Sequence, residues 1–190
     1  IPQIVARKKD RDALRIWTAA CASGEETYSL AILFQEEINR QGKLLDFKVF
    51  ATDAHKESIV RASLGVFTAA KLENVPPDLK EKYFEQVDHD YKIIKALRQK
   101  IIFAPHNLLS DGNFSSLDLV SCRNMLIYLE PEAQATVLTQ FSSGLTKEGI
   151  LFLGSSEHLG SLKGYYEVIS EKWRIYKKSH DLPLSQSFPN

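Results

Sequence analysis

Leu14-Arg15-Ile16-Trp17-Thr18-Ala19-Ala20-Cys21-Ala22-Ser23-Gly24-Glu25-Glu26-Thr27-Tyr28-Ser29-Leu30-Ala31-Ile32-Leu33-Phe34 passes from a short strand through a turn of small residues into a helix. Leu14 to Thr18 form the strand and Ala19 to Gly24 the turn, and Glu25-Glu26 open the helix. Leu30, Leu33, Phe34 and Ile38 recur at helical spacing and predict its buried face. A strand, a turn of small residues and a helix N-terminus form the platform on which open α/β sheets hold nucleotide-like ligands. The small side chains let such a ligand approach the backbone.

The charge of this stretch narrows the ligand. No Lys or Arg occurs between Thr18 and Ile32, and two carboxylates stand at the helix start. A pyrophosphate would be repelled there, although a helix N-terminus ordinarily favours anions. The three spaced glycines of a dinucleotide fingerprint are also missing. A ligand that is neutral or positive near the turn fits instead. S-adenosylmethionine has no phosphate and carries a sulfonium and an ammonium. A second reading stays open at this point: Ser23-Gly24-Glu25-Glu26 matches a capping box, in which Glu26 holds only the helix start.

At 190 residues the chain predicts one domain with a small insertion. Its formal net charge of zero argues against a nucleic-acid footprint. Cys21 and Cys122 lie in small or apolar segments, which predicts reduced, partly buried thiols and a cytoplasmic setting. No apolar run reaches membrane-spanning length, no signal peptide is visible, and no Cys/His cluster has metal-ligand spacing. The absence of a starting Met suggests a piece of a longer protein.

Ile1 to Asp12, with the run Arg7-Lys8-Lys9-Asp10-Arg11, reads as a solvated linker or helix end. Phe47 to Asp53 is a second strand ending in a carboxylate. An acid at the tip of the second strand reaches the ribose of an adenosine held by the first turn, and Asp53 is preferred for that role over capping the helix that follows. The chain from Leu64 to Gln99 leaves the alternating βα pattern and predicts an inserted subdomain, a short helix with a few antiparallel strands. Asn107, after the strand Ile101 to Ala104, has an amide able to read a base edge, while His106 reads as a structural loop histidine. Leu117 to Cys122 is nearly continuous in apolar residues, as a central parallel strand buried on both faces should be. It runs into Arg123, Asn124 and Tyr128, which its carboxyl end turns toward the cleft; Arg123 paired structurally with Asp118 or Glu130 is the alternative. Pro131 starts a helix, Ile150 to Gly154 is a further strand, and Tyr166 to Ile169 with Trp173 to Tyr176 predict a closing hairpin.

Taken together, Arg15 to Glu26, Ala51-Thr52-Asp53, Asn107-Leu108-Leu109, Cys122-Arg123-Asn124-Met125-Leu126-Ile127-Tyr128 and Leu153-Gly154-Ser155-Ser156-Glu157 resemble the catalytic domain of CheR-type protein-glutamate O-methyltransferases of bacterial chemotaxis. The resemblance runs from about Leu14 to Tyr176. The wording around His106 and Cys122 is most similar to CheR modules of hybrid proteins, in which methylesterase-like, methyltransferase and sensor domains are fused. It implies an α/β fold of the class I, Rossmann-like methyltransferase type with a small inserted β-subdomain at about 64–100. The domain would span 14–178, with 1–13 a linker or the end of another domain and 179–190 a tail. It also implies S-adenosylmethionine, with S-adenosylhomocysteine as product, held by Ala20, Gly24, Glu26, Asp53, Asn107, Leu108, Cys122 and Asn124. Tyr128 matches the family's active-site tyrosine; Arg123 stands at the cleft, where it would either orient the acceptor carboxylate with Tyr128 or anchor the cofactor. The implied partner is a chemoreceptor-like protein, with no nucleic acid and no membrane insertion. Two departures stand out: no Phe-Arg segment like the family's precedes Leu14, and Thr27 stands where many members have Pro. A non-catalytic module that binds the same cofactor for signalling, and a small-molecule methyltransferase, are the rival readings.

Overall fold

A computed structural model describes residues 1–183. Its elements are α1 (Pro2–Arg7), β1 (Ala13–Ala19), α2 (Glu25–Arg40), β2 (Asp46–Asp53) and α3 (Lys56–Leu64). There follow β3 (Val66–Thr68), α4 (Pro77–Tyr83), β4 (Phe84–Val87), β5 (Asp90–Ile93), α5 (Lys95–Arg98) and β6 (Ile101–Pro105). The last are β7 (Leu117–Cys122), α6 (Pro131–Gly144), β8 (Leu145–Leu153), β9 (Tyr166–Ser170) and β10 (Ile175–Lys178). The main sheet has the order β6-β2-β1-β7-β8-β10-β9. Its first five strands are parallel, and β10 runs antiparallel to both β8 and β9. This is the α/β fold class expected, closed by the expected hairpin.

Side-chain alternation divides the core between the two faces of the sheet. Leu14 and Ile16 of β1 join Phe34, Phe47 and Val49 on the face that carries α2. Trp17 and Ala19 join Val137, Phe141 and Leu151 on the face that carries α6. Trp17, fully buried, packs edge-on against Phe114, Phe141 and His106, and its indole N–H donates to Thr52 Oγ1 at 2.8 Å. His106 Nε2 is 3.0 Å from the Gly112 carbonyl, so this histidine is structural, as its loop position suggested.

Between α3 and α5 lies the insertion. Its three-stranded antiparallel sheet has the order β3-β5-β4, and α4 covers the proline-broken stretch. It is fastened to α2 by ion pairs from Lys71 to Glu25 and from Lys82 to Glu36, and by a hydrogen bond from the Tyr83 hydroxyl to Glu36. The strand expected at Ile101 to Ala104 joins the main sheet as β6, paired with β2.

Three local expectations are settled or changed. Of the two readings of the polar start, linker or helix end, the structure has the helix end: α1 buries Ile4 and Val5, and Lys43 Nζ donates to the carbonyls of Val5, Ala6 and Lys8 at its C-terminal end. Lys8 also pairs with the buried Asp118 at 2.8 Å. Leu33 is 48% exposed, because it lies at the edge of the α2 stripe, where Leu30, Phe34 and Ile38 take the core. The last parallel strand begins at Leu145 rather than Ile150, with a register irregularity that absorbs the turn at Glu148. Only the first part of the predicted tail, to Pro183, falls within the described residues.

Candidate functional site

The strand order reverses between β1 and β7, and the carboxyl ends of these strands open a crevice there. Register brings Ala19 beside Thr52 on one side and Cys122 on the other, with Leu153 next to Cys122. The ends of the predicted motifs therefore meet at one edge.

The turn after β1 is built from left-handed residues. Ala20 (φ 54°), Ala22 (φ 48°) and Gly24 (φ 89°) alternate with ordinary ones. Positive φ costs an alanine roughly 1–2 kcal/mol, and such conformations gather at functional loops. The turn is held by Cys21 N–H donating to the Thr52 carbonyl and Gly24 N–H to the Cys21 carbonyl, both at 2.9 Å. Thr18 and Thr27 hydroxyls meet at 2.7 Å with both residues fully buried, pinning the strand tip to the first turn of α2. Gly24 has a packing reason to be glycine. A Cβ there would lie 3.0 Å from Ala62 Cβ, so the glycine lets α2 and α3 close on each other.

Glu26 resolves the two readings of the helix start. The N-cap is Gly24, without a side-chain cap, and Ser23 Oγ donates to Glu25 instead. Glu26 turns toward β7, where its Oε1 accepts from Ser121 Oγ at 2.6 Å and its Oε2 from Arg123 Nη1 at 3.1 Å. Arg123 thus pairs with Glu26, and not with Asp118 or Glu130. Its guanidinium carbon lies 4.7 Å from the centre of the Phe152 ring, and its buried Nε has no hydrogen-bond partner.

Asp53 ties the second strand to the turn. Oδ2 accepts from Ala22 N–H at 2.9 Å and Oδ1 from His55 N–H at 2.8 Å. The cap of α3 is His55, whose ring accepts from Ser58 N–H, so Asp53 is not that cap. A carboxylate has about four acceptor sites, so Asp53 keeps capacity for a diol.

The remaining expected residues divide. Asn124 is exposed with φ 59°, beside Gly154, whose added Cβ would lie 2.8 Å from Asn124 N. Asn107 is exposed and forms a turn of its own, with Oδ1 accepting from Leu109 N–H and its N–H donating to Asp111. Leu108 is 6% exposed and packs in the core behind β7. The Cys122 side chain is fully buried in that same core, because β7 is covered on both faces, which leaves its backbone as the part at the strand end. Burial, with Glu157 and Glu26 nearby, pushes its thiol well above the usual range. Cys21 is raised to about 12, first by burial and then by Asp53. Tyr128 stands 81% exposed; its backbone N–H donates to the Met125 carbonyl at 3.1 Å, and its side chain faces solvent.

Sequence reasoning passed over two participants. Ser121 is a fully buried hydroxyl in an otherwise apolar strand, and a buried polar group needs a partner, which was the available signal. Glu157 closes the loop after β8: its carboxylate accepts from the N–H groups of Gly154, Met125 and Leu126 at 2.5, 2.9 and 2.8 Å. It is 3% exposed and structural.

The set fits S-adenosylmethionine on its donors. A carboxylate faces the cleft from Glu26 for an ammonium, Asp53 has capacity for ribose hydroxyls, and the alanine turn leaves the backbone open. The described residues contain no cluster of His, Cys, Asp and Glu able to hold a metal, and no helix long and apolar enough to cross a membrane.

Comparison with known proteins agrees with this geometry. The family of the CheR methyltransferase, SAM binding domain, matches residues 1–175. A Rhodobacter capsulatus protein described as an uncharacterized 104.1 kDa protein in the hypE 3' region is 41% identical over 177 residues, which is 93% of this chain and 19% of that protein. The chemotaxis protein methyltransferase of Listeria innocua is 33% identical over 159 residues, 84% of this chain and 58% of its own. The chain therefore spans about a fifth of the first relative and a little over half of the second. Among solved structures, PKMT2 from Rickettsia typhi in complex with AdoHcy overlays at a TM-score of 0.47 with 13% identity, over 74% of this chain and 20% of that one, too loosely to speak to activity. The strand order, the cleft carboxylates and the family match lead to one assignment: the chain belongs to the CheR methyltransferase family, as its S-adenosylmethionine-binding domain.

Proposed function

We propose that this domain transfers a methyl group from S-adenosylmethionine to glutamate carboxylates of a chemoreceptor-like protein in the cytoplasm, giving methyl esters. The observation that carries this reading is Glu26: the sequence allowed it to be a cap, yet it faces the cleft between the ends of β1 and β7. Glu26 is suited to the ammonium of the cofactor, Asp53 to the ribose, and the backbone at Ala20, Cys122 and Asn124 to close approach. Asn107 and Leu108 stand after β6, where an adenine would lie. The cofactor supplies an electrophilic methyl on sulfur.

A glutamate acceptor has an ordinary pKa near 4.3 and is ionised at neutral pH, so the chain needs no general base. The residues' task is to position the acceptor and exclude water from it. Arg123, with the fork geometry that fits a carboxylate, and Tyr128 are the residues proposed to face it. Fused methylesterase-like and sensor domains are the proposed neighbours in the longer protein.

The test begins with calorimetric titration of the chain with S-adenosylmethionine and S-adenosylhomocysteine. Micromolar binding is expected. Base-labile methyl incorporation into the cytoplasmic part of a chemoreceptor, assayed with the longer parent protein, then checks the acceptor. Binding without transfer to any protein would favour the signalling-module reading; methylation of a metabolite alone would favour the small-molecule one.

A further inference from the structure

Glu26 is claimed twice. In the proposed function it receives the ammonium of the cofactor, yet its Oε2 already accepts from Arg123 Nη1 at 3.1 Å. Its other oxygen accepts from Ser121 Oγ at 2.6 Å, so the carboxylate is anchored to the buried end of β7 and has little freedom to turn away. A second cation brought to this carboxylate meets the guanidinium within a few ångströms, and like charges at that distance repel.

Arg123 is also the less settled partner. Its Nε is buried with no acceptor, and an unmet buried donor is costly. Beside it lies the Phe152 ring, a face over which a guanidinium can slide while keeping a favourable contact. Between Thr18 and Ile32 the chain offers no other cation, so Arg123 is the group from β7 that balances Glu26.

Resting on the proposed function, we propose that Arg123 is the counter-ion that the ammonium of the cofactor displaces from Glu26, and that the freed guanidinium then receives the acceptor carboxylate. Acceptor capture would follow cofactor capture because one arginine is withheld until the other ligand arrives. The exchange is of ion pairs alone: Glu26 keeps one cationic partner throughout, and Arg123 passes from one carboxylate to another.

The consequence runs against habit, since removing an active-site arginine should tighten cofactor binding. The chain and its Arg123→Met, Glu26→Gln and doubly substituted variants are titrated by calorimetry with S-adenosylhomocysteine and with 5'-methylthioadenosine, which lacks the amino-acid end. Arg123→Met is expected to bind S-adenosylhomocysteine about two- to fivefold more tightly, the size of a partly exposed ion pair. Its affinity for 5'-methylthioadenosine should be unchanged, and the gain should vanish in the Glu26→Gln background. The Arg123 Nε–H resonance, assigned by its loss in Arg123→Met, should move with S-adenosylhomocysteine and not with 5'-methylthioadenosine. Millimolar glutarate should then move it again, in the S-adenosylhomocysteine complex alone.

Weaker binding of S-adenosylhomocysteine by Arg123→Met would overturn the inference, because Arg123 would then anchor the carboxylate of the cofactor itself. An equal gain for both ligands, or a resonance that follows both, would overturn it too. Failure of the unsubstituted chain to bind either ligand would remove the proposed function beneath it. Binding of both with no gain in Arg123→Met removes this inference alone.

Discussion

At the scale of single residues, two carboxylates do different work with similar means. Asp53 accepts from Ala22 N–H and His55 N–H, so it shapes the turn on which the adenosine is proposed to rest. Asp53→Ala is expected to weaken S-adenosylmethionine binding roughly tenfold or more, the worth of one charge-assisted hydrogen bond, as read by titration calorimetry. Glu157 accepts from three backbone donors that have no other use in the buried loop. Glu157→Ala should lower folding stability by about 3 kcal/mol, seen as a shifted urea midpoint with an unchanged slope. Asp53 was legible in the sequence because a strand end and a first turn pointed to it together. The burial of Cys122 was legible in the nearly continuous apolar run of β7, which is covered on both faces, while the motif marked only the strand end. Thr27 stood out in the sequence only as a departure; its hydroxyl contact with Thr18 depends on a strand tip and a helix start meeting in space.

At the scale of elements, Gly65 decides how closely the insertion sits against α2. It ends α3 with φ 63°, and a Cβ there would lie 2.6 Å from Ile93 Cγ2 and 2.9 Å from the Tyr28 hydroxyl. Gly65→Ala should cost about 2 kcal/mol, from left-handed strain and overpacking, and thermal unfolding would register it. The insertion was legible because Pro76-Pro77 and short β-branched runs broke the βα rhythm. What the sequence hid was α1. Its six residues carry two buried apolar side chains among charged neighbours, too short a pattern to reveal a helical face. Beyond the burial of Ile4 and Val5, its C-terminal end is held by Lys43, 37 positions from Ala6, and the next residue, Lys8, pairs with Asp118 of β7, contacts no local reading reaches.

At the scale of the whole molecule, acid should loosen the insertion from α2. Glu25 is partly buried, which opposes its charge, but hydrogen bonds from Lys71 and Ser23 hold its carboxyl below the ordinary value of 4.5. Glu36 is held below 4.5 by Lys82 and Tyr83. A depressed carboxyl contributes stability that is present above the unfolded value and lost as pH falls through the folded one. Melting temperatures should therefore hold from pH 7 to about 5 and fall below 4.5, and Glu25→Gln with Glu36→Gln should flatten that fall. A second global expectation concerns the thiols. With Cys21 raised to about 12 and Cys122 buried, neither should react with a disulfide reagent at pH 8 until denaturant is added.

The hairpin that closes the sheet bears on how the chain is made. β10, the last strand among the described residues, lies inside β9, so β8 gains its neighbour only when Ile175 to Lys178 are available. Lys178 then donates from a buried position to the carbonyls of Ser142 and Leu145, locking the junction of α6 and β8. On the ribosome, the parallel strands can assemble while β8 still presents an open, apolar edge, and it stays open until the hairpin clears the exit tunnel. The hairpin from Tyr166 to Lys178 thus acts as a release step in biogenesis, and a nascent chain stalled before Ile175 is the form that chaperones would be expected to hold.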